Sequence, residues 1–116
     1  MTSVNLKVKN PARPLKVFAG KFLVDSGATF TVVPEEKLHD LGIKPKREVD
    51  LELADGTWIK RKAGNALYEF EGTEAAGPVL FGEKGDTLLL GALTLEALGL
   101  ILDPLKRQLR QATLRL

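Results

Sequence analysis

The residues best able to do chemistry in this chain stand together in Val24-Asp25-Ser26-Gly27-Ala28-Thr29, directly after the apolar residues Phe22 and Leu23. A carboxyl at the end of an apolar strand is costly to bury alone, so the chain must pair it, hydrogen-bond it or use it. Used, a carboxyl is a general acid or base acting on one proton at a time. Unused, Asp-Ser-Gly describes a turn in which Asp25 accepts hydrogen bonds from its own backbone, and the three residues alone do not separate these readings. Elsewhere the candidates are weaker. His39, the sole histidine, sits beside Asp40 with no partner at metal-ligand spacing and reads as a surface residue. Glu35-Glu36 open a short helix, where acids suit the dipole, and adjacent residues do not face each other. Asp103 before Pro104 reads as a turn residue.

A second, distant segment changes the weighing. Leu88-Leu89-Leu90-Gly91-Ala92-Leu93 is followed by Leu100-Ile101-Leu102-Asp103-Pro104, and Asp55-Gly56 between the two segments signals a hairpin. The ordered set of Asp-Ser-Gly-Ala-Thr, a hairpin with a glycine tip and apolar-apolar-Gly before a helix resembles the retropepsin-like aspartic proteases, the retroviral type. The resemblance covers about residues 15 to 105. It implies an all-β, closed or barrel-like domain with one or two short helices, occupying residues 1–116 as a single unit. It also implies a homodimer that cleaves an extended peptide or protein substrate as an endopeptidase. Water-mediated peptide hydrolysis needs a base and an acid at the same moment, which one carboxyl cannot supply. Pepsin-like enzymes carry two such motifs in a much longer chain; here there is one, so the second Asp25 must come from a second copy. Two carboxylates at that distance hold one proton between them, as the paired acids of aspartic proteases are known to do, and no metal or organic cofactor is needed.

The same resemblance assigns roles to neighbours. Asp25 is the catalytic residue. Ser26 would bond across the dimer in place of the family's more usual threonine, Gly27 would let backbone approach, and Leu90-Gly91 would pack beneath the loop. Ala28 lacks the hydroxyl that some members place there to favour the ionised carboxylate, which implies an optimum less acidic than pepsin's. Asp55, Gly56, Thr57 and Trp58 correspond to the tip of a flap that closes over substrate, Trp58 either covering substrate or packing on the flap base.

These residues need positioning by strands. Val4, Leu6 and Val8 alternate with polar residues, and after Asn10 to Pro14 the runs Leu15–Phe18 and Lys21–Val24 suggest a hairpin turning at Ala19-Gly20. A helix is expected from Pro34 to Gly42, burying Leu38 and Leu41, and a second over Ala92–Leu98 capped by Gly99. Residues 48–62 read as an exposed hairpin. Short strands are expected at Ala66–Phe70, Val79–Phe81, Leu88–Leu90 and Leu100–Leu102, with a last one over Leu109–Leu116. The expected dimer contacts are the active-site loops and the terminal strands.

Bulk properties fit this and exclude other classes. The chain has 116 residues, 44% hydrophobic and 28% charged, which suits one folded domain. A formal charge of +2 is too small to imply nucleic acid, and Lys44-Pro45-Lys46-Arg47 and Lys60-Arg61-Lys62 read as solvated surface. Absence of cysteine removes disulfides, thiolate metal sites and cysteine nucleophiles. With no signal-peptide pattern and no apolar run of membrane length, no membrane partner and a cytoplasmic location are expected. The rival functions are a non-catalytic peptide-binding or dimerisation module on the same fold, and a plain β domain in which Asp25 caps a turn.

Overall fold

A computed structural model describes residues 1–116. Alternation in the first segment produces β1 (Ser3–Asn10), which turns Leu6 and Val8 into the core and Lys7 to solvent. The chain then reverses at Pro11-Ala12, where Asn10 Oδ1 accepts a hydrogen bond from the Ala12 N–H at 2.9 Å, and returns as β2 (Arg13–Val24). The expected turn at Ala19-Gly20 is therefore corrected: β2 runs through both residues, with Gly20 opposite Leu6. Glycine is present there for space. A Cβ on Gly20 would stand 2.8 Å from Leu88 Cδ2 and 3.1 Å from the Phe18 ring.

After the loop 25–30 come β3 (Thr31–Pro34) and α1 (Glu35–Asp40), which buries Leu38. Pro34 is the residue before the helix, and Gly42 takes φ +78° just beyond it. The chain next forms β4 (Arg47–Glu52) and β5 (Trp58–Phe70), then β6 (Thr73–Gly82). The second strand of the hairpin expected over 48–62 and the strand expected at Ala66–Phe70 are one continuous strand. The β5–β6 reversal falls at Glu71-Gly72, with φ +48° and +85°, the pair of positive values that a two-residue hairpin turn demands. Gly77 lies inside β6 opposite Ala66. The short β7 (Leu89–Leu90) leads into α2 (Ala92–Leu98), followed by β8 (Leu100–Asp103) and β9 (Gln108–Gln111). β9 stops five residues short of the expected end, because Gly99 opposite Ala112 no longer belongs to β8 and only its carbonyl is taken, by the Ala112 N–H at 2.8 Å.

Strand order is β1-β2-β7-β3-β6-β5-β4, and β1 pairs again with β5 through Lys7–Lys9 against Leu67–Glu69. Six strands thus close into a ring, and β4 projects from it with the first part of β5. The all-β, barrel-like architecture with two short helices agrees with the sequence reading. Inside the ring lie Leu6, Val8, Phe22, Val33, Phe81 and Leu90, with Leu38 from α1 and Leu95 and Leu98 from α2. Each such side chain is worth roughly 1.5–3 kcal/mol of apolar burial. Tyr68 is fully buried as well, and its hydroxyl donates to the Pro78 carbonyl at 2.7 Å. Burial pushes its phenol well above the ordinary value, the Thr94 and Thr31 hydroxyls offsetting part of the rise. No helix is long and apolar enough to cross a membrane.

Candidate active site

β2 and β3 are neighbours in the chain but not in the sheet, because β7 lies between them, parallel to β2 and antiparallel to β3. The loop 25–30 must therefore arch over the end of β7, and this arch carries Asp25. Its backbone is fastened at several points. Asp25 N–H donates to the Leu90 carbonyl at 3.0 Å and Ala28 N–H to the Asp25 carbonyl at 3.1 Å. The first turn of α2 completes the support: Ala92 N–H donates to the Ala28 carbonyl at 2.7 Å and Leu93 N–H to the Thr29 carbonyl at 3.1 Å. These are N–H groups that a helix cannot satisfy internally, so the loop and the helix end solve each other's deficit.

Within the arch the Gly27 N–H donates to Asp25 Oδ1 at 2.9 Å, orienting the carboxyl. Asp25, Ser26 and Gly27 are all exposed on the single chain, and Ser26 makes no hydrogen bond within it. Sequence reasoning placed Leu90 and Gly91 beneath this loop, and both lie there. Leu90 is fully buried and pairs with Val24, and a Cβ on Gly91 would overlap the Phe30 carbonyl and stand 3.0 Å from the Ala28 oxygen.

Thr31 and Thr94 form part of the same support, and the sequence reading overlooked them. Their hydroxyls meet at 2.6 Å in the core, and Thr31 Oγ1 accepts from the Gly91 N–H at 3.0 Å. The available signal was a hydroxyl residue heading the apolar run Thr31-Val32-Val33, where a buried hydroxyl needs a partner.

A groove of about 720 Å³ starts at Gly27 and Ala28 and runs beneath the projecting hairpin. Phe30, Val32 and Leu89 line its floor, and Leu51 and Ile59 its roof. Register explains the roof: Val49 faces Arg61 and Leu51 faces Ile59, so these four half-buried residues share one face of the hairpin, while the exposed Asp50, Glu52, Trp58 and Lys60 share the other, the first three of them reaching the groove's edge. Trp58 is 65% exposed at the groove's rim, so its ring is not packed on the flap base. At the tip, Gly56 takes φ +86°, and the Asp55 carboxylate accepts from the Thr57 N–H at 3.0 Å and its hydroxyl at 2.6 Å. Those two bonds hold the Asp55 carboxyl below its usual range. Gly27, Ala28 and Trp58 line this groove; Asp25 lies next to its lining, two residues before Gly27, whereas Asp55, Gly56 and Thr57 form the hairpin tip outside it.

Arg61 corrects an expectation. Read as part of a solvated basic run, its side chain is only 16% exposed and grips Asp86 through two hydrogen bonds, Nε to Oδ2 at 2.8 Å and Nη2 to Oδ1 at 3.1 Å. Its neighbours fit the original reading: Lys60 pairs with Asp50 at 2.8 Å on the outer face, and Lys62 lies opposite Glu48. His39 is exposed near the Phe81 ring, and the Asp103 carboxylate accepts from the N–H groups of Leu105 and Lys106, as a turn residue does. No group of three or more acids and histidines is placed to hold a metal ion. A second depression of about 740 Å³, between Val4–Lys7 and Glu69–Gly72, includes no residue of the Asp25 arch.

Comparison with known proteins bears on this arrangement. The family model described as "Aspartyl protease" matches residues 15–92, from β2 through the first residue of α2. Among solved structures, the solution structure of the Simian Foamy Virus (mac) protease matches with a TM-score of 0.53 and 22% identity, over 80% of this chain and 92% of that one. At that identity the likeness speaks for the fold. The comparison with curated proteins gives no match.

Proposed function

The chain belongs to the aspartyl protease family, and from that premise we propose that it is a homodimeric endopeptidase in which Asp25 of two copies forms the catalytic pair. The observation that carries this reading is the placement of Asp25. Its carboxyl is exposed, oriented by the Gly27 N–H, held on an arch tied to β7 and α2, and lies beside a groove that Gly27 and Ala28 help to line under a hairpin. The Gly27 N–H bond is one a turn cap also makes; the arch tied to β7 and α2 and the adjoining groove are surroundings a turn cap does not need.

A two-fold axis through the exposed Asp25-Ser26-Gly27 surface would bring the two carboxyls together and join two half-grooves into a cleft for an extended peptide. The pair would hold one proton. The ionised carboxylate takes a proton from water as the water oxygen adds to the scissile carbonyl carbon, and the protonated partner gives its proton to the carbonyl oxygen. The tetrahedral diol then collapses as a proton passes to the amide nitrogen, the C–N bond breaks, and an acid and an amine leave. Ser26, without a partner inside its own chain, is free to bond across the dimer. Leu51 and Ile59 would cover the substrate's apolar side chains, with Asp55 to Trp58 closing the tip.

The test is hydrolysis of a diverse peptide library by protein shown to be dimeric. Wild type is expected to cleave and to be blocked by a pepstatin-like inhibitor, while Asp25→Asn stays folded and dimeric and loses at least about a thousandfold in rate. A wild-type dimer that binds peptides but cuts none would overturn the protease reading in favour of a peptide-binding module.

A further inference from the structure

β5 pairs with β6 only as far as Ala63 opposite Leu80. Beyond that point the two strands part. Residues 58–62 continue into the projecting hairpin with β4 alone, while β6 runs on beside β3 to Gly82 and enters the turn 83–88 that forms one wall of the groove. Arg61 lies two residues past the fork on one branch and Asp86 lies on the other. Their two hydrogen bonds, at 2.8 and 3.1 Å, bridge the gap.

Both ends of the bridge are themselves fixed. Asp86 Oδ2 also accepts from the Glu83 N–H at 2.7 Å, and the Asp86 N–H donates to the Glu83 carbonyl at 2.9 Å, so the carboxylate closes the turn it belongs to. Gly85, at φ +92°, permits that tight reversal. Arg61 Nη1 donates to the Lys60 carbonyl at 2.8 Å and lies 3.7 Å from the Glu83 carboxylate. The guanidinium is thus engaged on every nitrogen, and the planar bidentate geometry is one that lysine cannot reproduce.

We propose that Arg61 and Asp86 are positioning residues for substrate: the pair clamps the root of the flap to the wall turn 83–86 and so sets the width of the groove and the arc through which the flap moves. This rests on the peptide-cleft reading above. In that role the pair touches no reacting atom. It holds Ile59, two residues along the inner face, and Thr87 and Leu89, just after Asp86, at a fixed separation across the groove. Opening the clamp lets roof and wall drift apart, which weakens binding of an extended peptide more than it slows the bond-breaking step.

The experiment compares wild type with Asp86→Asn and Arg61→Lys, using steady-state cleavage of a fluorogenic peptide drawn from the library and amide hydrogen exchange of the peptide-free protein. The expected result is a KM raised about tenfold for Asp86→Asn with kcat within about threefold, and a smaller rise for Arg61→Lys, which keeps the charge but loses the fork. Exchange should quicken in residues 53–60 and 83–88 and stay unchanged in β1 and the β6 core. Unchanged exchange in both segments overturns the clamp, and so does uniform acceleration across β1 and β6, which assigns the pair to general stability. If wild type cleaves no peptide, the protease reading fails, and the exchange measurement alone still decides whether the clamp exists.

Discussion

At the scale of single residues, the arch around Asp25 is built from groups whose alternatives do not fit. Gly91 is the clearest case. Its φ of about −99° is open to any residue, so its requirement is steric: an added methyl meets the Phe30 carbonyl, which is backbone and cannot swing aside. Gly91→Ala is expected to cost about 1–3 kcal/mol, in the range of overpacked cores, and to displace the arch that carries Asp25. Urea unfolding gives the first number. Under the proposed function, loss of peptide cleavage in the fraction that remains folded gives the second. The Thr31–Thr94 pair beneath it has the same logic in polar form, since a hydroxyl buried in the ring is tolerated only because it meets another hydroxyl and the Gly91 N–H.

At the scale of elements, the projecting hairpin behaves differently from the ring that bears it. Beyond Ala63 it gains no ladder from β6, and its outer face carries the exposed Lys60–Asp50 pair, worth little in solvent. What ties its root is Arg61 to Asp86. The Arg61 guanidinium and the Glu83 N–H hold the Asp86 carboxyl below its usual range, against a smaller opposing effect of burial. A carboxyl depressed in the folded state contributes stability above its ordinary value, and that contribution disappears as pH falls through the depressed value. The stability gap between wild type and Asp86→Asn should therefore be full near neutrality and shrink progressively below about pH 4, as read from urea midpoints across pH. A gap that stays constant down to about pH 2 would contradict the ion pair. The flap root is thus expected to loosen in acid before the ring does.

At the scale of the whole molecule, one chain carries one arch. The ring closes within one chain through β1 and β5, yet Asp25, Ser26 and Gly27 remain on its surface. Folding and the proposed activity are therefore separable. Specific activity should fall on dilution below the dimer dissociation constant while circular dichroism is unchanged, and adding excess Asp25→Asn chain should inhibit by forming mixed dimers with one carboxyl in place of two. Activity that is independent of concentration down to full dissociation would mean that a single Asp25 suffices.

Much of this was legible in local residue patterns. Motif order and spacing led to the family, α2 was bounded by Ala92 and Gly99 as read, and the Asp55-Gly56 reversal was correct, because caps and tight turns are short-range requirements written in a few adjacent residues. The errors share one cause. Gly20 looks like a turn residue but is a strand position, where its lack of a side chain admits Leu88 and Phe18. Arg61 looked like one member of a solvated run, while its partner lies 25 residues away in the chain. Thr31 and Thr94 meet across 63 residues. By itself, then, the sequence determined the family, the acid-bearing loop, the hairpin and the helix ends. Only the tertiary structure decided which glycines serve contact, which charges are paired, and how β7, threaded between β2 and β3, holds the loop open, since those depend on neighbours that the closing of the ring brings together.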